Sequence, residues 1–411
     1  MAHEKLIIKN FIGIKDLELE INRFNVFIGP QASGKSVIVK LIHYFRSVFE
    51  EMEMVLLTNH GSIEDFSKKL YDKFFNYFPD KFWGSKDFVI DYIFSENNQI
   101  TLHGDQWNGD IQIKFSEGIR NFYEDAHNKS REVMKDHSKK DVSLIKIELN
   151  KFRMDLQCLP LWQEEPIFIP AGRAFFSMFQ ASLFRFLSLN PDFDPFSKNF
   201  SITYEQFRDK PEILYSEKSV VITRLVKNLL QGKYEFRNGK GYLKLDDREV
   251  DLEHSSSGQQ EVLPLVHTLL WKRAYSKRAL IIEEPEAHLF PATQQHITEL
   301  IALVFNSNRN VSNSNEDIFI TTHSPYILTV LNTLLYAGQI ARKLKDKTKL
   351  NRIVPQVLRM NSTNVSVWAL DSKGNCKSVM NKKTGLIDAM IIDEVSNNIS
   401  EEFCKLVDLD E

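Results

Sequence analysis

Cysteine is scarce: the 411 residues contain three, Cys158, Cys376 and Cys404. They are far apart, odd in number and lack metal-ligand spacing, which excludes a disulfide scaffold and a cysteine zinc site and fits a reducing compartment. No apolar run reaches the length that spans a bilayer. The opening Met1-Ala2-His3-Glu4-Lys5 has no cationic stretch followed by an apolar one, so no secretory signal is expected. The chain also lacks a surplus of positive charge. A net charge of −3 excludes a uniformly basic coat for nucleic acid, though not a local basic patch. Internal repeats and long low-complexity linkers are missing too. These absences point to a soluble cytoplasmic protein with no membrane partner. What is plentiful is core material: 30 phenylalanines in a 43% hydrophobic chain, enough for one or two domains.

Apolar periodicity predicts strands over 6–8, 17–21 and 24–28, then a helix over 37–49. Residues 50–87 read as helical and aromatic-rich. Strands over 88–94, 99–102 and 111–115 suggest a small antiparallel sheet. The charged stretch 117–156 reads as a helical insertion, too short and irregular for a coiled-coil arm. A strand over 167–169 runs into Pro170-Ala171-Gly172-Arg173, and 174–232 reads as a second helical region. Asn238-Gly239 between 234–236 and 242–245 is a hairpin signal. Helices are expected over 261–271 and 291–305 and from 326 to 335, with strands over 279–282, 318–320 and 365–370. Residues 305–317 form an Asn/Ser-rich loop.

Four motifs carry chemistry. The first is Gly29-Pro30-Gln31-Ala32-Ser33-Gly34-Lys35-Ser36 between a strand and a helix. Backbone N–H groups in such a loop converge on phosphates at the positive end of the following helix. Lys35 is expected to reach the β- and γ-phosphates of ATP, and the Ser36 hydroxyl to ligate Mg²⁺. The second is Leu280-Ile281-Ile282-Glu283-Glu284-Pro285-Glu286, an apolar strand ending in acids. Glu283 would stabilise Mg²⁺ through its water shell, and Glu284 would hold and polarise the attacking water. The third, Ser255-Ser256-Ser257-Gly258-Gln259-Gln260-Glu261, combines hydroxyls, a glycine and a helix start; taken alone it is an ordinary N-cap. The fourth is Ile318-Phe319-Ile320-Thr321-Thr322-His323-Ser324-Pro325, where His323 ends an apolar strand expected beside the acidic one in a parallel sheet.

In this order the four motifs resemble ATP-binding-cassette (ABC) type ATPase heads, the group that includes structural-maintenance-of-chromosomes proteins and RecF. Leu6-Ile7-Ile8-Lys9-Asn10-Phe11-Ile12-Gly13-Ile14 looks like their N-terminal strand and turn. Glu283-Glu284-Pro285-Glu286-Ala287-His288-Leu289-Phe290-Pro291 and residues 167–173 resemble bacterial ATPases of the overcoming-lysogenization-defect type. The resemblance covers residues 4 to about 335, leaving 50–160 and 174–230 unmatched. It implies an α/β P-loop ABC-type head with a mixed or parallel central sheet, a small antiparallel β subdomain and helical insertions. It implies a dimer in which Ser257 and Gly258 contact the γ-phosphate in trans, His323 is the switch histidine, and residues 286–288 lie at the interface. Gln31 and Ala32 stand where many members have Asn and Gly, Glu283 replaces the usual Asp, and Gln259 replaces the second signature glycine. Gln163 and Gln180 are both candidates for the Gln-loop residue. The Toprim nuclease domain of that family is not expected: too few residues follow His323, and Asp408-Leu409-Asp410 reads as an acidic tail.

The expected organisation is a single domain over 1–411. Within it lie a P-loop subdomain (1–49), a β subdomain with helical insertion (50–165), a helical lobe (166–232), a signature, Walker B and switch-histidine core (233–335), and a C-terminal segment (336–411). Two functions compete. One is an ATPase forming homodimers or higher homo-oligomers that controls a separate effector, a nuclease or toxin, in anti-phage defence. The other is a repair or recombination ATPase that binds DNA, for which Arg342, Lys343, Lys345, Lys347, Lys349 and Arg352 offer phosphate contacts. A transporter subunit is disfavoured by the distance from Ser36 to Ser257, and an inert scaffold by the presence of Lys35, Ser36, Glu284 and His323 together.

Overall fold

The computed structural model describes residues 4–59, 61–105, 110–135, 154–155, 162–178, 193–216, 219–307 and 316–388. Cys158, Cys404, Gln180, most of the charged stretch after residue 135, the Asp408-Leu409-Asp410 tail and most of the Asn/Ser-rich loop lie outside them. The strands are β1 (Lys5–Phe11), β2 (Ile14–Glu20), β3 (Phe24–Ile28), β4 (Val89–Ser95), β5 (Asn98–Gly104), β6 (Ile111–Phe115) and β7 (Ile167–Ile169). They continue with β8 (Lys233–Arg237), β9 (Lys240–Lys244), β10 (Glu249–Asp251), β11 (Leu280–Glu283), β12 (Ile318–Thr322), β13 (Val365–Leu370) and β14 (Cys376–Ser378). The chain divides into two compact units. One comprises 1–22, 30–167 and 370–376; the other comprises 23–29, 168–369 and 377–411.

The first unit is built on a sheet of order β2-β1-β4-β5-β6, antiparallel at every pairing. The three strands expected between 88 and 115 are present, but they are not a separate sheet. β1 pairs with β4 because its inward residues Leu6 and Ile8 continue the apolar face of Ile90 and Tyr92. Among the described residues the unit also holds the helices Lys35–Arg46, Val48–Asn59, Ile63–Tyr77 and Glu117–Lys135. The helix expected over 37–49 is two helices that break at Ser47, whose hydroxyl donates to Tyr44 O at 2.7 Å. Aromatic packing fills the interior: the Phe11 ring centre lies 4.7 Å from Phe88 and 5.6 Å from Phe78. Phe45 stacks on Tyr92 at 4.7 Å, and Arg46 donates to Glu4 at 2.6 Å, so the Lys35–Arg46 helix is anchored to β1 and β4.

The second unit holds a sheet of order β14-β13-β3-β12-β11-β7. β11, β12, β3 and β13 run parallel, with Glu283 opposite Thr321 and Thr322 opposite Ile28. β3, β11 and β12 are buried at every position, as strands covered on both faces are. The carboxyl ends of β11, β12 and β3 therefore share one edge, where open α/β sheets bind ligands. Around the sheet lie the helices Pro195–Glu205, Val220–Leu230, Ser257–Tyr275, Pro291–Asn306 and Pro325–Lys343. The hairpin at Asn238-Gly239 forms as expected, with positive φ at both residues, and gains a third strand in the order β10-β9-β8. Among the described residues no helix is long and apolar enough to cross a membrane.

Candidate nucleotide site

Pro30 to Ser36 belong to the first unit and form a tight turn into the Lys35–Arg46 helix. Gly34 caps that helix at φ 96°, a conformation glycine adopts without strain. A Cβ there would meet Ile14 Cγ1 at 3.0 Å, so glycine is required twice over. Ala32 also sits in the left-handed region, at φ 60°, where it carries a strain that a glycine would avoid. Lys35 is buried, and its Nζ donates to Pro30 O at 2.8 Å and Ser33 Oγ at 3.4 Å. The ammonium is thus folded back along its own loop. Ser36 is exposed at the helix start.

The acids and the histidine belong to the second unit, at the shared edge of the parallel strands. Glu283 ends β11 and is buried. The chain turns at Glu284, whose φ is 41° and whose N–H donates to Thr321 O at 2.9 Å. That turn leaves the Glu284 carboxylate 39% exposed, 3.1 Å from His323 Nε2. The His323 ring N–H donates to it. Glu286 holds the other side: its Oε1 accepts from the His323 N–H and from Thr322 Oγ1, both at 2.7 Å. Ser324 Oγ donates to Gln294 Oε1 at 2.6 Å, which ties the next helix start to the Pro291–Asn306 helix. The ends of β11 and β12 are therefore locked to each other by residues that the sequence placed 36 positions apart or more.

Ser257 opens the Ser257–Tyr275 helix and is exposed. Ser256 caps it in a reciprocal box with Gln259, which explains the residue that replaces the second glycine. Gln259 Nε2 also donates to Leu230 O at 3.1 Å. Gly258 lies against the turn after Glu284: a Cβ on it would stand 3.1 Å from His288 O.

Arg173 is the residue that motif reasoning missed as a functional group. It is 1% exposed and donates to Pro170 O, Glu283 O and Glu284 O at 2.8, 2.7 and 3.0 Å. Its signal was present in Pro170-Ala171-Gly172-Arg173, a charged residue directly after a buried strand. Gln163 is described but belongs to the stretch entering β7, and the structure assigns it no partner in this site.

The family of AAA ATPase domains matches residues 1–165 and 175–328. The chain belongs to that family. It is an ATP-binding and ATP-hydrolysing protein, and the match runs through the segments 50–160 and most of 174–230 that the motifs alone left unmatched. No curated protein matches the chain. Among solved structures, a structural-maintenance-of-chromosomes head domain from Thermotoga maritima is 12% identical, covering 80% of this chain and 92% of that one at a TM-score of 0.38. Such a head bound to the C-winged helix domain of ScpA is 11% identical, covering 92% and 97% at a TM-score of 0.44. A head with an extended coiled coil bound to the C-terminal domain of ScpA, derived from Pyrococcus furiosus, is 11% identical, covering 96% and 100% at 0.40. The α/β class expected of a P-loop ATPase head is the one the ATPase adopts.

Proposed function

We propose that this ATPase is an ATP-gated switch that dimerises, or assembles further, around nucleotide and controls a separate effector protein. The observation that carries the reading is the Glu284–His323 pair at the end of parallel strands, braced by Glu286. In this reading Lys35 and the loop 29–36 hold the phosphates. Glu284 polarises the attacking water, and His323 contacts the γ-phosphate. Ser257 and Gly258 of a second copy close over the nucleotide, and residues 286–288 meet that copy. The exposed Ser257 at the helix start, followed by Gly258 close against His288, supports this assignment.

The donor set suits Mg²⁺. Ser36 offers a hydroxyl and Glu283 a carboxylate, hard oxygens of the kind Mg²⁺ takes alongside phosphate and water. Among the described residues no cluster of His, Cys, Asp and Glu forms an all-protein metal cage, and Mg²⁺ at a nucleotide needs none. When bound, Mg²⁺ would neutralise charge on the phosphates. The resemblance to overcoming-lysogenization-defect ATPases supports a cytoplasmic role in anti-phage defence, with a nuclease or toxin as effector.

The oligomer reading is tested by measuring the mass of Glu284→Gln in solution with and without Mg-ATP. Slowed hydrolysis should trap an ATP-bound dimer; a monomer at every ATP concentration would sink the model. Effector control is tested by purifying the tagged chain with its genomic neighbours expressed and identifying what co-purifies. A second reading, direct DNA binding, draws on the exposed basic run from Arg342 to Arg352. It fails if duplex DNA does not bind the ATP-loaded chain at moderate salt.

A further inference from the structure

A cavity in the second unit has a volume of about 940 Å³, and no P-loop residue lines it. It is bounded by the Val220–Leu230 helix, the β8–β10 sheet and the first turns of the Pro291–Asn306 helix. Its size is that of a small-ligand pocket rather than a packing gap.

The lining is charged in a definite sense. Lys227, Lys233, Lys244 and Arg248 face two carboxylates, Asp246 and Asp247. Lys233 is shared with Glu235 at 3.4 Å, whereas the side chains of Lys227, Lys244 and Arg248 have no ion pair among the described residues. Ala292 and Thr293 add the start of a 16-residue helix, whose dipole favours an anion there. His296 lines the same wall, with its Nε2 3.2 Å from Asn228 Nδ2. Tyr215 supplies an aromatic surface that is 40% exposed. It is held in place because its hydroxyl accepts from the Tyr234 N–H at 2.6 Å. Cations, a helix start and a fixed aromatic ring together suit a ligand with phosphate at one end and a flat ring at the other.

We propose that this cavity is a second, effector-type site that takes a nucleotide-sized ligand through its phosphate and base. Its walls lead directly to the catalytic elements. The Val220–Leu230 helix ends on Leu230 O, which accepts from Gln259, the capping residue of the signature helix. The Pro291–Asn306 helix continues the chain from Glu283 and Glu284, and its Gln294 accepts from Ser324 beside His323. A ligand that shifts either wall would move the residues assigned to ATP. That coupling rests on the switch reading above; the binding site does not.

The test uses the full-length chain carrying Lys35→Ala, which removes the phosphate grip of the P-loop. Fluorescent N-methylanthraniloyl-ADP should bind it saturably, be displaced by AMP but not by adenosine, and bind more weakly as salt is raised. Adding Lys244→Ala and Arg248→Ala should weaken binding by about tenfold or more, and Lys244→Arg should retain it. Both residues are exposed, so the fold is expected to survive, and Lys227→Ala provides an independent variant. No saturable binding to the Lys35→Ala chain, binding indifferent to all these substitutions, or displacement by single-stranded oligonucleotide but not by AMP would each overturn the site. Coupling is read separately, as a change in ATP turnover on adding AMP that the Lys244→Ala/Arg248→Ala chain does not show. Binding without that change would overturn the coupling and leave the site standing.

Discussion

Arg173 and Glu261 are buried against one another, with Arg173 Nε 3.3 Å from Glu261 Oε2. The backbone N–H groups of Arg173 and Ala174 donate to the same carboxylate at 3.1 and 3.0 Å. The guanidinium reaches on to the carbonyls of Glu283 and Glu284. One side chain thus ties the first turns of the Ser257–Tyr275 helix to the end of the acidic strand. Burial lowers the Arg173 pKa, and Glu261, Glu286, Glu284 and Glu283 oppose that shift. A guanidinium starts so high that it stays charged.

Removing it should therefore be costly. Arg173→Ala removes the counter-charge of the buried Glu261 carboxylate and the donors to four carbonyls, and a buried pair broken from one side costs ~3–5 kcal/mol. Arg173→Lys keeps the charge but cannot reproduce the fork, so it should fall between the two. Urea unfolding of the three chains measures this. An Arg173→Ala chain within 1 kcal/mol of the wild type, a threshold of about the size of one ordinary hydrogen bond, would rule out a structural role.

Glu286 should matter for turnover more than for binding. Its Oε1 accepts from both Thr322 Oγ1 and the His323 N–H, which fixes the backbone that presents His323 to Glu284. Glu286→Ala should lower kcat by roughly 10²-fold, the scale expected when a reacting group shifts by about an ångström, with ATP affinity little changed. Glu286→Gln preserves an acceptor and should retain most of the rate. Steady-state kinetics beside equilibrium nucleotide binding separates the two effects. Equal losses in both variants would mean that charge, not position, is what Glu286 supplies.

The loop invites a pair of opposite substitutions. Ala32 at φ 60° is strained by roughly 1 kcal/mol, so Ala32→Gly should be neutral or stabilising despite glycine's larger entropy in the unfolded chain. Gly34→Ala meets Ile14 at 3.0 Å and a φ of 96°, and should be destabilising and abolish nucleotide binding. Thermal midpoints and nucleotide titrations report on each. A Gly34→Ala chain that binds ATP normally would refute the assigned loop geometry.

Much of this was legible in the sequence because the decisive elements are local. β3, β12 and β13 are apolar runs, and β3 leads straight into Gly29–Ser36, so period and turn chemistry fix them. What escaped depends on partners distant in the chain. That β1 joins β4 is a matter of register between residues about 85 apart. The break at Ser47 comes from a hydroxyl bonding its own helix, a weak signal among strong apolar ones. Gln259 looked like a defect in a signature, and its reason appeared only with the capping box. Arg173 was visible as a residue but not as a bridge, because nothing in a sequence shows that Glu261 and the Glu283 carbonyl converge on one buried guanidinium.

The Ser257–Tyr275 helix also carries a group that should make stability depend on pH. His267 is fully buried among Tyr204, Phe207 and Tyr234, with a ring N–H that donates to Lys210 O at 3.0 Å. Burial pushes its pKa down to about 4, against the pull of the Lys210 carbonyl and Asp209. The unfolded chain takes up a proton near pH 6.5, which the folded chain resists until about pH 4. The stabilisation from a neutral His267 is therefore complete above pH 6.5 and is lost as pH falls from there towards 4, a total of about 3 kcal/mol. His267→Gln keeps a donor for Lys210 O and removes the titration. Unfolding free energies measured across that window should fall less steeply with acid in the variant than in the wild type. Carboxylates that titrate in the same range cancel in the comparison. Parallel slopes would show that His267 is not the linked group.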